Sequence, residues 1–213
     1  MLDLVAIRKE LRANGWVVAL GTPAELKAAA ELQGLRAATE KGREKTVLKP
    51  YEADKAPPKS ISAHVGLGPQ PLHTDGAHLE TPPDIVALYS AKPTSTPTIV
   101  WAPGMGQSRP WLPEFASQGI FIVHGNRSAF LASAHEQNRT RFDPFCMSPG
   151  DQFARETVAF FEEARPDAFV HEWTRDNQLL ILDNRRVLHA RNEVVDRQTR
   201  RIERLTFGVE ERE

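Results

Sequence analysis

Short apolar runs separated by proline-rich turns constrain the fold of this chain more than any other feature. Ile85–Tyr89 and Thr98–Trp101 are rich in β-branched and aromatic residues, and the segment from Pro93 to Pro97 separates them. Further runs of this kind are Gly119–Val123, Leu179–Leu182 and Leu205–Val209. Such runs are typical of strands. The pattern predicts a mainly β protein with flanking helices and a double-stranded β-helix core, which is the jelly-roll or cupin-like architecture.

Three segments have the apolar spacing and the end signals of helices. The second contains Thr22-Pro23-Ala24-Glu25, an N-cap with a first-turn proline and a capping-box glutamate. The predicted bounds are an end near Ala13 for the first helix, Thr22 to Gly34 for the second, and Ser148–Asp151 to Pro166 for the third. The first two carry no catalytic motif.

The segment from Thr39 to Pro58 differs in composition from the rest, because it is rich in Lys, Glu, Pro and Gly and has few apolar residues. This composition predicts an exposed loop. Loops longer than about 12 to 15 residues are often functional lids or disordered segments, and both interpretations stay open here. The segment leads towards the polar stretch around His73, so a lid over a site there is one expectation.

Size, charge and cysteine content limit the class of protein. With 213 residues, 40% of them hydrophobic, the chain suits one domain spanning residues 1–213. The net charge of −1 disfavours nucleic-acid binding, although Arg197, Arg200, Arg201 and Arg204 allow a local basic patch. Cys146 is the single cysteine, and no apolar run approaches the roughly 20 residues of a membrane span. We expect a cytoplasmic protein that acts on a small molecule, with its oligomeric state left open.

The stretch from Pro71 to His78 is the best candidate for chemistry. His73 and Asp75 are two residues apart, and residues i and i+2 of an extended segment lie on one face. An imidazole and a carboxylate on one face can bind the same metal ion. His78 has the opposite strand parity, so we expect it to face away from such a site.

A second histidine suits the third ligand position. His189 follows the apolar run Leu179–Leu182 and the polar turn that begins at Asp183 and Asn184. Turn formation is the simpler explanation for these two polar residues. Two histidines and one carboxylate form the facial ligand set of non-haem Fe(II) oxygenases.

Two arginines follow His189 at intervals that also suggest a buried site. Arg200 and Arg204 come eleven and fifteen residues after it, directly before the predicted strand Leu205–Val209. Residues i and i+4 share a face in a helix as well as in a strand. Burying two guanidinium groups requires carboxylate partners, because an unpaired buried charge is very costly. A dicarboxylate ligand would supply them.

These motifs together resemble the taurine dioxygenase family of Fe(II)- and 2-oxoglutarate-dependent oxygenases, which have a clavaminate-synthase-like fold. The resemblance runs in order over roughly residues 60 to 209. It rests on His73-Thr74-Asp75, Thr98, Asp183-Asn184-Arg185, His189, Arg200 and Arg204.

The resemblance implies that His73, Asp75 and His189 hold Fe(II). It also implies that Thr98 and Arg200 bind 2-oxoglutarate, with Arg204 near the metal-binding carboxylate end of this co-substrate. The implied reaction uses O2 to hydroxylate an unactivated carbon of a small anionic or amino-acid-like substrate, with release of succinate and CO2.

Other interpretations remain open from the sequence. A cupin-like metal-binding module, or an inactive relative without 2-oxoglutarate turnover, would keep the fold but has no reason to bury Arg200 and Arg204. Demethylation of nucleic acid or protein would call for a basic groove with stacking aromatic residues, and only 8% of the residues are aromatic. Arg191 is a candidate substrate-binding residue, with an exposed, salt-bridging role as the alternative.

Overall fold

The computed structural model describes residues 2–37, 45–104, 111–195, 197 and 200–209. The helices in these ranges are α1 Leu4–Asn14, α2 Pro23–Glu31, α3 Ile61–Val65, α4 Phe115–Gln118 and α5 Gln152–Ala164, with short 3-10 turns at Ala53–Lys55 and Arg165–Asp167. The strands are β1 Trp16–Leu20, β2 Leu35–Ala37, β3 Lys45–Leu48, β4 Ile85–Ser90, β5 Thr94–Trp101, β6 Phe121–His124, β7 Ala129–Ala132, β8 His135–Glu136, β9 Arg139–Thr140, β10 Met147–Pro149, β11 Phe169–Trp173, β12 Gln178–Asp183, β13 Leu188–Arg191 and β14 Ile202–Val209. None of the helices in the described ranges is long and apolar enough to span a membrane.

A six-stranded antiparallel sheet forms one layer of the protein. Its strand order is β1-β12-β4-β14-β2, and β3 also pairs with β14. The outer face of this sheet carries Tyr89, Ile181 and Phe207, which pack against α1 and α2 through Ile7 and Leu26. The N-terminal helices therefore cover one side of the sheet and keep its apolar residues from water.

A three-stranded sheet, β11-β5-β13, forms the facing layer. Its outer face carries Ile99 and Trp101, which belong to a second apolar cluster with Phe161 of α5. The indole of Trp101 meets the Phe161 ring edge to face at a centroid distance of 5.7 Å. Helix α5 thus covers the outer face of this smaller sheet.

We call the space between the two sheets the sandwich interior. Val86, Leu88, Leu180 and Leu182 point into it from the large sheet, and Val100 points into it from the small one. Side chains alternate between the two faces along β5. Residues Thr96, Thr98 and Val100 point inward, and Ile99 and Trp101 face α5. This arrangement of two facing antiparallel sheets with flanking helices confirms the predicted mainly β, jelly-roll core.

The predicted strands and helices are present, but several of their ends differ. The second helix ends at Glu31 and not at Gly34. The first helix ends at Asn14, one residue beyond the predicted end, where Gly15 takes a left-handed φ of 84°. The third predicted helix begins later than expected, because Asp151 and not Ser148 accepts the bond from Ala154 N–H as the N-cap. Met147–Pro149 forms strand β10 instead.

The predicted loop from 39 to 58 is also partly corrected. Residues 39–44 lie outside the described ranges, but Lys45–Leu48 is strand β3, paired with β14, and a 3-10 turn follows it. Pairing satisfies the backbone of this polar segment, and Leu48 packs against the sandwich interior. A loop throughout this segment is therefore wrong, while lid closure stays a prediction.

Candidate metal centre

His73 and His189 lie side by side because their backbones pair. His73 N–H donates to the His189 carbonyl at 3.0 Å, and His189 N–H donates to the His73 carbonyl at 2.9 Å. This isolated antiparallel bridge adds the segment before Asp75 to the edge of β13. Directly opposed residues point to the same face, and the two imidazole rings have a centroid distance of 4.5 Å.

Asp75 is fixed by a side chain that is far away in the sequence. Asn184 accepts a hydrogen bond from Asp75 N–H at 3.1 Å and donates to the Asp75 carbonyl at 3.0 Å. The same amide donates to the carbonyl of Pro83 at 2.8 Å. Asn184 is fully buried, so these bonds hold the turn that carries Asp75 without competition from water.

These three side chains form a buried cluster. One potential ligand atom from each of His73, Asp75 and His189 lies within 4.8 Å of the other two. The three residues are exposed by only 5 to 7%. His189 pairs with Val100 across β13 and β5, so the cluster opens onto the sandwich interior.

The environment keeps Asp75 and His189 in the protonation states that metal binding requires. Burial alone would raise the pKa of Asp75, but the positive charge of Arg204 and the nearby imidazoles lower it below its usual value. Burial lowers the pKa of His189 to about 3, with a further contribution from His73. The cluster therefore offers a carboxylate and a neutral imidazole, which are ligand forms.

The hydrogen bonds of the cluster leave ligand atoms available for a cation. His73 Nδ1 lies 3.0 Å from the Pro71 carbonyl, which can only accept, so Nδ1 carries the proton and Nε2 keeps its lone pair in the neutral ring. Asp75 Oδ2 is buried without a hydrogen-bond partner in the described structure, and His189 Nε2 is 3.7 Å away from it. A buried, unpartnered carboxylate oxygen between two imidazoles fits a divalent metal ion.

Arg204 contacts the cluster directly. Its Nη1 donates to Asp75 Oδ1 at 2.6 Å, and it lies on β14 opposite Leu88, so it points into the sandwich interior. This bond occupies one carboxylate oxygen and leaves Oδ2 for a metal. Arg204 therefore lies at the end of the interior that contains the His73, Asp75 and His189 cluster.

Thr98 faces the same interior, and Arg200 is buried against the strand that carries Thr98. Arg200 is 7% exposed, and its Nη1 donates to the Thr96 carbonyl at 3.0 Å. None of the carboxylates in the described ranges pairs with it. Burial, together with the charge of Arg191, lowers the pKa of Arg200 to about 10. The lowered pKa shows that burying the charged guanidinium is unfavourable. An anionic ligand would offset this cost.

Arg191 does not have the exposed environment that a surface salt bridge would need. It is buried, and its guanidinium donates to the carbonyls of Gly66, Leu67 and Asn192 at 2.8 to 3.0 Å. The exposed salt-bridging alternative is therefore wrong. These bonds tie the chain before His73 to β13, so the donors that they use are not available to a substrate.

Two further arginines, Arg139 and Arg141, are bound by groups of the fold itself. Arg139 is paired with Asp84, and Arg141 donates to backbone carbonyls of the loop that follows Asp75. Arg200 points inward while Arg201 is exposed, so the C-terminal arginines do not share one surface. His78 lies in a turn, where strand parity does not apply, and it is not part of the ligand cluster.

The bonds from Asn184 to the backbone of Asp75 were not predicted, because Asn184 was interpreted as a turn-former. A buried asparagine that follows an apolar strand has the same local signature as a turn-former, and its partner Asp75 is 109 residues away. The single available signal was the resemblance, which includes Asp183-Asn184-Arg185 as a motif.

No family model matches the chain, and no curated protein sequence is significantly similar to it. Solved structures are similar. An asparagine oxygenase in complex with Fe(II), 2S,3S-3-hydroxyasparagine and succinate is 18% identical with a TM-score of 0.71, over 97% of this chain and 78% of that one. The chain has the fold of an iron oxygenase.

Two further solved structures are similar to this chain in fold. The non-heme iron oxygenase OrfP, in complex with Fe, succinate and (3S)-hydroxy-L-Arg, is 16% identical with a TM-score of 0.70, over 95% of this chain and 77% of that one. PvcB from Pseudomonas aeruginosa is 17% identical with a TM-score of 0.68, over 97% and 80%. At these identities the similarity establishes the fold, and the chemistry has to be argued from the residues of this chain.

We predict that His73→Ala abolishes high-affinity Fe(II) binding, because the cluster loses one of its three ligands. His78→Ala is the matched control and is expected to bind Fe(II) as the wild type does, since His78 is outside the cluster. Anaerobic isothermal titration calorimetry with Fe(II) measures the affinity of both variants. Loss of binding in His78→Ala with retention in His73→Ala would show that the ligand assignment is wrong.

We also predict that Asn184→Asp weakens Fe(II) binding by about 10- to 100-fold, the usual effect of losing a group that orients a ligand. The substitution keeps the shape of the side chain but replaces the donor to Asp75 and Pro83 with an acceptor. The same titration measures the effect, and Asp176→Asn on the surface is the control. Unchanged affinity in Asn184→Asp would show that Asn184 does not position Asp75.

Proposed function

We propose that this chain is an Fe(II)- and 2-oxoglutarate-dependent oxygenase that hydroxylates an unactivated carbon of a small, amino-acid-like or anionic substrate and releases succinate and CO2. Residues 1–213 would act as one oxygenase domain, and within this superfamily we place the chain in the taurine dioxygenase family. A cytoplasmic location is part of the proposal.

One observation carries the proposal. The buried His73, Asp75 and His189 cluster shares the sandwich interior with Arg200, a buried guanidinium that has no carboxylate partner in the described ranges. A metal site alone does not explain a buried, uncompensated cation. A ligand that binds a metal at one end and presents a carboxylate at the other end explains both features, and 2-oxoglutarate is such a ligand.

The residues divide into groups with separate roles. His73, Asp75 and His189 would hold Fe(II), while Thr98 and Arg200 would bind the distal carboxylate of 2-oxoglutarate. When bound, Fe(II) supplies O2 activation coupled to oxidative decarboxylation of the co-substrate. The protein keeps the imidazole of His189 neutral, orients the ligands and excludes water from the interior.

Arg204 would act at the metal end of the site. Its bond to Asp75 Oδ1 holds the carboxylate in one orientation and keeps it ionised, since the arginine charge lowers the pKa of Asp75 against the effect of burial. The same guanidinium lies near the position proposed for the C1 carboxylate of 2-oxoglutarate. A role in orienting both anions follows from this placement.

The structural neighbours support the reaction class and suggest a substrate class. OrfP has been solved in complex with Fe and alpha-ketoglutaric acid, and another PvcB structure is described as an Fe, alpha-ketoglutarate dependent oxygenase from an isonitrile synthetic pathway. The asparagine oxygenase and OrfP structures contain hydroxylated amino acids. We therefore propose an amino acid or a close derivative as the substrate of this chain.

The cupin-like metal module is the second candidate, and it predicts a different experimental result. The Mn(II)-loaded protein should bind 2-oxoglutarate if the main proposal is right, because Mn(II) occupies such sites without turning over. Isothermal titration calorimetry of this complex measures the binding. Metal binding without 2-oxoglutarate binding would contradict the oxygenase proposal and favour the module.

Turnover identifies the substrate. We expect the Fe(II)-loaded protein, supplied with 2-oxoglutarate and O2, to form succinate faster when the right member of a panel of L-amino acids and small carboxylic acids is present. Mass spectrometry should find a product with one added oxygen atom in equal amount to the stimulated succinate. His73→Ala is the control and should form neither product.

We predict that Arg200→Lys raises the Kd for 2-oxoglutarate by roughly 30-fold to several thousand-fold, because lysine keeps the charge but loses the planar, two-point contact with a carboxylate. Metal affinity should not change. Arg201→Ala is the matched control, since the neighbouring side chain is exposed and should leave the Kd unaltered. A strong effect of Arg201→Ala with none from Arg200→Lys would place the co-substrate elsewhere.

A further inference from the structure

Trp173 makes a hydrogen bond whose direction is fixed by chemistry. Its indole Nε1 lies 3.1 Å from Thr98 Oγ1. An indole N–H can only donate, so the hydroxyl oxygen of Thr98 accepts this bond. Trp173 is 1% exposed and Thr98 is 2% exposed, so water does not compete for either group.

This bond also determines what the Thr98 hydroxyl proton can do. A hydroxyl group has one donor, and the proton must point away from a donor that already approaches its oxygen. Across the described ranges, no group accepts a hydrogen bond from the Thr98 hydroxyl. A buried donor without an acceptor destabilises a protein, so such a group indicates an acceptor that binds there.

The position of Thr98 shows which ligand could supply that acceptor. Thr98 lies on β5 between His171 of β11 and Arg191 of β13, its direct cross-strand neighbours. The carbonyl of Thr96, two residues earlier on the same strand, accepts the bond from Arg200. The hydroxyl therefore lies in the same part of the interior as the guanidinium that lacks a carboxylate partner.

The neighbours of Trp173 hold the indole in this orientation. His171 meets it edge to face, with a centroid distance of 4.4 Å and an interplanar angle of 82°. Between His171 and Trp173 the register with β5 shifts, so that Trp173 pairs with Thr94. The irregularity coincides with Pro97, which has no N–H for the ladder. The fold thus fixes the side chain that donates to Thr98.

We propose that Trp173 is a positioning residue for the co-substrate: by donating to Thr98 Oγ1, it turns the Thr98 hydroxyl proton towards the carboxylate that Arg200 binds. This inference rests on the proposed function. The carboxylate then receives one hydrogen bond from a neutral hydroxyl and others from a guanidinium. Trp173 does not touch the ligand and acts through Thr98 alone.

A double-mutant cycle tests this coupling. Kd for 2-oxoglutarate is measured by calorimetry on the Mn(II)-loaded wild type, Trp173→Phe, Thr98→Val and the double variant. We expect Thr98→Val to raise the Kd by about 10-fold or more, and Trp173→Phe by about 3- to 10-fold, from the loss or misdirection of a hydrogen bond to a charged group. In the Thr98→Val background, Trp173→Phe should have no further effect.

Two controls separate positioning from packing. Trp101→Phe removes another buried indole N–H, one without a hydrogen-bond partner in the described structure and on the opposite face of β5, and should leave the Kd unchanged. Thr98→Ser keeps the hydroxyl while losing the methyl group, so it should raise the Kd much less than Thr98→Val does. This second comparison remains informative if Trp173→Phe does not fold.

The outcomes distinguish the inference from the function on which it rests. Failure of the wild type to bind 2-oxoglutarate would overturn the proposed function itself. Normal binding by the wild type with additive effects in the cycle, or with no effect of Trp173→Phe, would overturn the positioning role alone. Equal losses in Thr98→Ser and Thr98→Val would do the same, because the hydroxyl would then not be the contact.

Discussion

The pair of backbone hydrogen bonds between His73 and His189 is the interaction on which the site depends. It joins residues that are 116 positions apart in the numbering, and it adds a short extended segment to the edge strand β13. Backbone pairing fixes the spacing of two ligands without any metal. Arg191 strengthens this edge by holding the carbonyls of Gly66 and Leu67, so the chain reaches His73 in a defined position.

Charge burial is the second constraint, and buried charges are compensated differently at Asp75 and at Arg200. At the metal end, Asp75 and Arg204 compensate each other directly, at the cost of desolvating both groups. Beside β5, Arg200 has the neutral carbonyl of Thr96 as its acceptor. A fold that neutralises one buried arginine internally and leaves another without an anion is arranged for a ligand with negative charge at that second position.

Local patterns predicted the parts of this structure that local forces decide. The β-branched, apolar character of Ile85–Tyr89 identified β4, and the capping box at Thr22 identified the start of α2. Strand β3 was missed because Lys45 and Thr46 have no apolar pattern, and its stability comes from pairing with β14, more than 150 residues later. Arg191 was misjudged for a related reason, since its partners are backbone carbonyls, which every sequence contains. The ligand set could be proposed from residue order because metal ligands depend on side-chain chemistry.

Three buried polar groups of the site lack the partners that their chemistry requires. In the described ranges, Asp75 Oδ2 is buried without a hydrogen bond, the hydroxyl proton of Thr98 has no acceptor, and Arg200 has no carboxylate. Each of these groups would destabilise a protein that stayed empty, and the three lie along one interior between two sheets. They also differ in kind, because the first attracts a cation and the other two attract an anion. A metal ion together with a dicarboxylate satisfies all three at once, whereas a metal ion alone satisfies only the first.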